Sequence, residues 1–332
     1  MNQKKKKTLV CLAGILILLL FVYAGIIVFQ DHQEQERKKE TEAQKIYVTD
    51  LKGISDIQYD VGSGLIHLTK EDNVWYDGED PDFPLAQSYP KQMEDTLEKL
   101  QAERKLEDGD TLEDYGLQDP VYTVNLTDTD GKKTTLYFGN TTGDSYYVTL
   151  DEKTEIYTVK NTVVTDLSYT MEEMAQLDVF PAIGSGNLKK VTILQNGKTT
   201  VYDSEKEEDE TAIAAIAGGL GAVTLTDVAE YSAVQEDLAQ YGLDEKSRIT
   251  ETVVYTRDTT EKELTVYLGK EDGNGARYLM LSDSKIVYRV ESEKCRNMLN
   301  QNTECAVSLI FNITTASYSD AVVNVGYKEF NL

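Results

Sequence analysis

The sequence predicts an α+β protein in which an N-terminal single transmembrane helix is followed by two tandem repeat modules, each a mainly antiparallel sheet with a packed helix. Three observations lead to this prediction. A long uncharged segment lies near the N-terminus, several short motifs occur twice in the same order, and alternating apolar segments follow one another through tight turns. Strands joined by hairpins pair antiparallel, whereas parallel strands need long crossover connections.

Residues 8–29 are the predicted transmembrane anchor. They carry no charge, and as a helix they span roughly 33 Å, which is close to the thickness of the hydrocarbon core of a bilayer. Residues 1–7 contain four lysines and predict a cytoplasmic basic tail by the positive-inside rule. A cleaved signal peptide is the alternative, but its apolar region is usually about 7–15 residues long. We therefore expect a retained anchor, with everything after Phe29 outside the cytoplasm.

The rest of the chain divides into a stalk and two modules. Residues 30–45 are polar and lack apolar periodicity, so they predict a helical or flexible stalk. The folded part that follows is long for one domain and comfortable for two. We expect module 1 at residues 46–180, module 2 at residues 181–300, and two C-terminal strands in residues 301–332 that close module 2.

An internal repeat is the reason for counting two modules. Three motifs of the first module recur in order in the second, at offsets of 126, 130 and 131 residues. Three matches in order, with offsets that drift by small insertions, are hard to attribute to chance. The matched pairs are Asp114–Asp119 with Gln240–Glu245, Leu136–Gly139 with Val266–Gly269, and Ile156–Val159 with Val287–Val290.

Each module contains hairpins and one main helix. In module 1, Ile54–Tyr59 and Leu65–Tyr76 alternate apolar and polar residues and predict the two strands of a first hairpin. A helix that opens near Ser88 carries its apolar stripe at Met93, Leu97 and Leu100. Further predicted strands are Tyr122–Leu126, Leu136–Phe138, Tyr146–Leu150 and Glu155–Val159, and in module 2 residues 188–203, 250–256, 264–268, 277–281 and 286–290.

The helix of module 2 is less secure in the sequence. Its apolar positions are Ile213, Ile216 and Leu220, but Gly218, Gly219 and Gly221 interrupt it. Glycine in a helix interior costs about 1 kcal/mol relative to alanine.

The two Tyr-Gly-Leu elements precede a strand in each module. We expect Gly116 and Gly242 to adopt φ > 0 as helix C-caps, because a β-carbon is penalised there. Leucine then anchors the turn in the core and tyrosine packs across it. The functional alternative is a recognition loop.

At these residues the chain resembles the bacterial domain-of-unknown-function family 4340. Trp75, a helix, Asp114-Tyr115-Gly116-Leu117 with Pro120, Tyr137-Phe138-Gly139 and Tyr146-Tyr147-Val148 follow in that family's order. The resemblance covers roughly residues 46–300 and is clearer in the first copy, since the second has no tryptophan and has Glu245-Lys246 in place of Asp119-Pro120. It implies a single-pass membrane protein, often encoded beside gliding-motility-type ABC transporter components. It supplies no catalytic residue.

The composition limits the partners and the chemistry. A formal charge of −25 argues against binding nucleic acid, whose phosphates need clustered Lys and Arg. Of the two histidines, His32 lies in the stalk and His67 in a strand with an expected structural role. No His/Cys cluster has zinc spacing, and Gly218–Gly221 lacks the Lys-Ser/Thr of a phosphate loop. We therefore assign no catalytic, metal or cofactor-binding residue and expect no cofactor.

Acidic turns and two cysteines leave alternatives open. Asp77, Asp80 and Asp82, and likewise Asp108 and Asp110, read as turns or as a weak ion site, because neither set completes a calcium-loop pattern. Cys295 and Cys305 are compatible with a disulfide or with two free thiols, since spacing alone does not establish a bond.

The expected function follows from the anchor, the repeat and the family resemblance. We expect a non-enzymatic, membrane-anchored extracytoplasmic protein that is an accessory component of an ABC-transporter-like envelope assembly. Its expected partners are the membrane, through residues 8–29, and ABC transporter subunits. The alternative is an extracytoplasmic ligand-binding module for an envelope glycan or peptide, and a hydrolase with an unrecognised acidic site is the third interpretation.

Overall fold

The computed structural model describes residues 45–106, 111–151 and 153–301. The chain divides into two compact units between Leu177 and Asp178, three residues before the boundary expected from the sequence, and modules 1 and 2 below are these units. The predicted tail, anchor, stalk and C-terminal strands lie outside the described residues, apart from the end residues Lys45 and Gln301. Within the described ranges, no helix has the length and apolar character needed to cross a bilayer.

Module 1 is an antiparallel sheet of eight strands with one main helix, which lies between the two edge strands in the sequence. Every recorded strand pairing in it is antiparallel, as the hairpin pattern predicts. The elements are β1 (Ile46–Tyr47), β2 (Ile54–Asp60), β3 (Ile66–Glu71), β4 (Val74–Asp77), α1 (Ser88–Glu98), β5 (Gln101–Ala102), β6 (Arg104–Leu106), β7 (Tyr122–Asp128), β8 (Lys133–Thr142), β9 (Ser145–Leu150), β10 (Ile156–Lys160) and α2 (Thr162–Asp166). The strand order is β4-β3-β2-β7-β8-β9-β10-β6, and β1 pairs separately with β5.

The sheet of module 2 repeats the topology of the eight-stranded sheet with one strand fewer. The elements are β11 (Leu188–Gln195), β12 (Lys198–Asp203), α3 (Glu210–Gly221), β13 (Val228–Glu230), α4 (Leu238–Tyr241), β14 (Ile249–Arg257), β15 (Thr260–Glu271), β16 (Ala276–Leu281), β17 (Val287–Glu291) and α5 (Ser292–Met298). The strand order is β12-β11-β14-β15-β16-β17-β13, so every strand of this sheet has a counterpart in the sheet of module 1, where the edge strand β4 is the additional one. The predicted repeat and the mainly antiparallel α+β class are therefore confirmed.

The segment predicted as one strand over Leu65–Tyr76 is two strands. β3 and β4 pair with each other across a two-residue turn at Asp72-Asn73, where both residues have positive φ. Asp and Asn tolerate the left-handed region better than other non-glycine residues, so this pair closes a hairpin tightly. The prediction of a single strand was wrong because alternation continues across so short a turn.

Helix α1 begins at Ser88 as predicted and packs on the sheet through Met93 and Leu97, which are buried. Leu100 is buried as well, but it follows the end of the helix. The buried hydroxyl of Thr49 donates to the carbonyl of Leu97 at 2.7 Å and accepts from the backbone nitrogen of Leu100 at 2.8 Å. Thr49 thereby satisfies one of the carbonyls that a helix C-terminus leaves without a partner.

An ion pair between half-buried Lys70 and buried Glu94 joins α1 to the outer hairpin of module 1. The ammonium of Lys70 on β3 lies 2.8 Å from both carboxylate oxygens of Glu94 on α1. The indole nitrogen of Trp75 donates to Glu94 at 3.3 Å, and the Lys70 ammonium lies 5.5 Å from the centroid of the Trp75 ring. Since a buried charge is tolerated when it is paired and hydrogen-bonded, this cluster gives Trp75 a structural role.

Helix α3 is continuous from Glu210 to Gly221 despite its glycines. A Cβ atom on Gly219 would overlap the backbone nitrogen of Met298, so the glycine lets α3 and α5 approach closely. Gly218 has open space on its side of the helix. Close packing of α3 on α5 at Gly219 therefore outweighs the low intrinsic helix propensity of glycine.

The repeated Tyr-Gly-Leu element packs against the repeated glycine of β8 or β15. Gly116 and Gly242 have φ of 69° and 68°, as predicted. Gly242 caps α4, as predicted, whereas residues 111–115 before Gly116 form turns and no α-helix. Leu117 and Leu243 are fully buried.

The contact is the same in both modules. A Cβ atom on Gly139 would overlap the carbonyl oxygen of Tyr115, and one on Gly269 would overlap that of Tyr241. The Tyr115 carbonyl accepts the backbone nitrogen of Asn140 at 2.8 Å, at the point where the register between β8 and β9 shifts. The turn therefore takes up a hydrogen bond that the bulge removes from the ladder.

Gly139→Ala and Gly269→Ala should each destabilise their own module by about 1–3 kcal/mol, because an added methyl group forces a packed backbone apart. Amide hydrogen exchange of β8 and β15 peptides, followed by mass spectrometry, measures each module separately. Gly186→Ala is the matched control, since Gly186 has open space and ordinary φ. Equal protection in all three variants would contradict the proposed close approach.

Candidate functional site

His67 lies on the outer face of module 1 between two carboxylates. Its Nε2 atom is 2.9 Å from Asp56 and its Nδ1 atom is 3.5 Å from Glu79. The hydrogen bond to Asp56 raises the pKa of His67, against the opposing effect of burial. A side chain on Gly78 would overlap the imidazole ring. His67 thus connects the turn after β4 to the sheet, and this contact agrees with the structural role expected for His67.

The acidic turn of residues 77–82 is held by its own carboxylates. Asp77 accepts the backbone nitrogen of Glu79 at 3.1 Å, and Asp80 accepts that of Asp82 at 3.2 Å. These are the local side-chain to backbone bonds of Asx turns. Asp108 and Asp110 lie outside the described residues. Within the described ranges, no group of three or more His, Cys, Asp or Glu side chains is placed to hold a metal ion.

Module 1 has an open groove of about 590 Å³ beside β2 and β7. Two apolar side chains on its lining are exposed, Leu65 by 65% and Val121 by 55%. Tyr122 lies next to them, and the amide groups of Gln58 and Asn125 supply polar lining. Ligand sites combine apolar and aromatic surface with a few placed polar groups. The groove therefore suits a sugar or an extended peptide segment.

Module 2 has a pocket of about 420 Å³, whose lining includes Arg248, Tyr267, Lys285 and both polar and apolar side chains. The guanidinium carbon of Arg248 lies 3.8 Å from the centroid of the Tyr267 ring. This site is the Arg248 pocket. Sequence analysis did not identify it, because its residues come from four separate segments and none belongs to a recognisable motif.

A cluster of polar groups is buried in the core of module 2. Glu251 on β14 is fully buried, and neither of its carboxylate oxygens has a hydrogen-bond partner among the described residues. Arg277 Nε and the Ser292 hydroxyl are also buried without a partner there. Burial raises the pKa of Glu251 well above its usual value. An unsatisfied buried carboxylate is costly, so its presence calls for an explanation.

Module 1 shows that the fold does not require this carboxylate. Val124 pairs with Leu136 in module 1, and Glu251 pairs with Val266 at the equivalent place in module 2. Val124 is fully buried. The same position is therefore apolar in one module and ionisable in the other.

Cys295 is a free, buried thiol on α5. Burial raises its pKa to about 12, an effect that the charge of Arg277 opposes and that of Glu251 reinforces. Because the thiolate is the reactive form, a Cys295 thiol that stays protonated near neutral pH is weakly nucleophilic. Its possible disulfide partner in the sequence, Cys305, lies outside the described residues.

Comparison with known proteins identifies the repeated domain. The family model described as Domain of unknown function (DUF4340) matches residues 75–217 and 209–329. Neither a curated protein nor a solved structure matches the chain.

Glu251→Val should increase the free energy of unfolding of module 2 by about 1–3 kcal/mol near neutral pH, because it removes an unsatisfied buried group at similar volume. The folded-state pKa is raised, so the folded state binds more protons. The parent therefore loses stability as pH rises from about 4.3, the unfolded value, towards the folded pKa. The gain from the substitution should grow over the same range.

Urea denaturation at about pH 5, 7 and 8.5 measures this gain. Glu263→Val on β15 is the matched control, since it makes the same substitution at an exposed position. If Glu251→Val has the same pH dependence as the parent, Glu251 is ionised and paired in solution.

Proposed function

Because the chain belongs to the DUF4340 family and carries two tandem copies of its domain, we propose that it is a non-enzymatic, membrane-anchored extracytoplasmic protein. It serves as an accessory component of an ABC-transporter-like envelope assembly. The uncharged residues 8–29 support the anchor, and the preceding lysines support a cytoplasmic N-terminus. The ABC-transporter context that the family resemblance implies supports the choice of partner.

The observation that carries this proposal is the duplication of one framework with different side chains. Both modules keep the strand order and the Tyr-Gly-Leu contact. They differ in the core, where module 1 has Val124 and module 2 has Glu251 at the equivalent position. Module 1 also has no arginine at the position that Arg248 occupies in module 2. Two related modules on one anchor present two unlike surfaces to neighbouring components, which suits an accessory protein.

Affinity purification of the full chain from native membranes in mild detergent should recover ABC-type subunits with it. A matched control keeps residues 1–45 and replaces the modules with an unrelated acidic domain. That control should recover none, because the modules make the contact. Repeated recovery of the full chain alone would contradict the proposal.

The topology can be tested separately. Protease added to intact cells, or to spheroplasts if there is an outer membrane, should digest residues 46–332 and leave a small N-terminal stub. A cytoplasmic marker protein should stay intact in the same sample. Full protection of residues 46–332 would reverse the orientation and with it the proposed role.

A second candidate function is a binding module for an envelope glycan or peptide. The groove of module 1 favours it, because exposed Leu65 and Val121 lie beside Tyr122 and the amides of Gln58 and Asn125. Two linked modules can also bind two linked epitopes with avidity. This function is compatible with an accessory role, since a transport assembly needs components that recognise its cargo.

A further inference from the structure

Arg248 is an arginine whose charge has no protein partner in the described part of the chain. No carboxylate there lies within ion-pair distance of it, and its recorded side-chain contact is with the face of Tyr267. The four other arginines of module 2 each pair with a carboxylate, Arg257 with Asp258, Arg277 and Arg296 with Glu271, and Arg289 with Asp227. Acidic residues outnumber basic ones by 58 to 33 in this protein, so an arginine without a carboxylate partner in the described part of the chain is unusual.

The ring of Tyr267 occupies one side of the Arg248 guanidinium. The guanidinium carbon lies 3.8 Å from the ring centroid, and the residue is half-buried, so the contact restricts a side chain that still reaches solvent and reduces the entropy lost on binding. The N–H groups project in the plane of a guanidinium, and their fork geometry matches the two oxygens of a carboxylate or phosphate.

The pocket around Arg248 has a positive and an apolar part. Lys285 supplies a second positive charge to the lining, which contains no Asp or Glu. The nearby carboxylate of Asp178 accepts the hydroxyls of Ser284 at 2.6 Å and Tyr288 at 3.0 Å. The apolar wall consists of Val234, which is 45% exposed, together with Leu238 and Met280.

Module 1 uses the equivalent ring differently. Tyr137 corresponds to Tyr267, and it is covered by the Lys153 ammonium at 4.5 Å. Lys153 donates to the carbonyl of Leu117 at 3.0 Å, so its charge has a protein partner. Val121 stands in module 1 where Arg248 stands in module 2, immediately before the matching strands. The available cation is therefore particular to module 2.

We propose that the Arg248 pocket binds an anionic group, the carboxylate or phosphate end of a ligand whose short apolar part lies against Val234, Leu238 and Met280. The proposal deepens the ligand-binding candidate and rests on it, and it names the chemistry that module 2 recognises. Arg248 holds the anion in a bidentate contact, Lys285 adds charge, and the apolar wall selects against fully hydrated anions.

Saturation-transfer difference NMR on the full chain in deuterated detergent tests this with simple probes. Hexanoate and hexyl phosphate carry the anion on an apolar chain, hexan-1-ol lacks the charge, and acetate and inorganic phosphate lack the apolar part. Saturable transfer to hexanoate or hexyl phosphate, weakened by added salt, is expected. Comparison of these two anions tells a carboxylate ligand from a phosphate ligand.

Variants locate the binding. Arg248→Gln should weaken the apparent affinity for the preferred anion about tenfold or more, since a charge-assisted bidentate contact is lost. Arg257→Gln is the matched control, because it removes the same charge from an exposed arginine of module 2 and should leave affinity unchanged. Hydrogen exchange of β14 and β15 shows whether the Arg248→Gln variant remains folded. If that variant unfolds, Lys285→Gln replaces it and should weaken the affinity for the same anion by a smaller factor.

Three outcomes would overturn the proposal. These are no saturable binding of either anion, equal binding of hexan-1-ol, and equal loss of affinity in Arg257→Gln. None of them depends on the transporter-like partner. Recovery of ABC-type subunits with the Arg248→Gln chain then separates the two hypotheses, because an accessory role can persist when this pocket fails.

Discussion

The approach of a tyrosine carbonyl to a glycine backbone is the constraint on which both modules depend. At Gly139 and Gly269 any side chain would overlap the carbonyl of Tyr115 or Tyr241. The contact fixes the turn that leads into the central strand of each sheet. It also buries Leu117 and Leu243, and it brings Tyr115 within 4.6 Å of the Tyr147 ring and Tyr241 within 5.0 Å of the Tyr278 ring. The motifs that repeat in the sequence are the two sides of this contact.

Outside that contact the two modules differ in how their helices pack and in which residues they bury. Module 1 joins its helix to the sheet through the ion pair of Lys70 and Glu94, and module 2 brings α3 against α5 at Gly219. Glu251 replaces a valine in a fully buried position. Substitutions that cost stability without being required by the fold are where a duplicated domain acquires a function of its own.

The sequence was informative wherever the structure is local. Strand alternation, the i, i+4 spacing of Met93 and Leu97, and the positive φ of Gly116 and Gly242 all depend on neighbouring residues, and the structure confirms them. The Arg248 pocket depends on segments that are distant along the chain, as does the pairing of Lys70 with Glu94. No spacing rule reveals such contacts. The single strand predicted over Leu65–Tyr76 failed for a local reason, because Asp72-Asn73 turns the chain without interrupting the pattern.

The strand order also bears on where one copy of the domain begins. The family matches start at residues 75 and 209, after the first hairpin of each module. Yet β2 lies in mid-sheet beside β7, and β11 lies beside β14. A fragment of residues 75–217 would hold β7 without β2, and would hold β11 without β14. The bounds of the family match and the unit that folds are therefore offset along the chain, and a self-sufficient fragment has to be cut between Leu177 and Asp178.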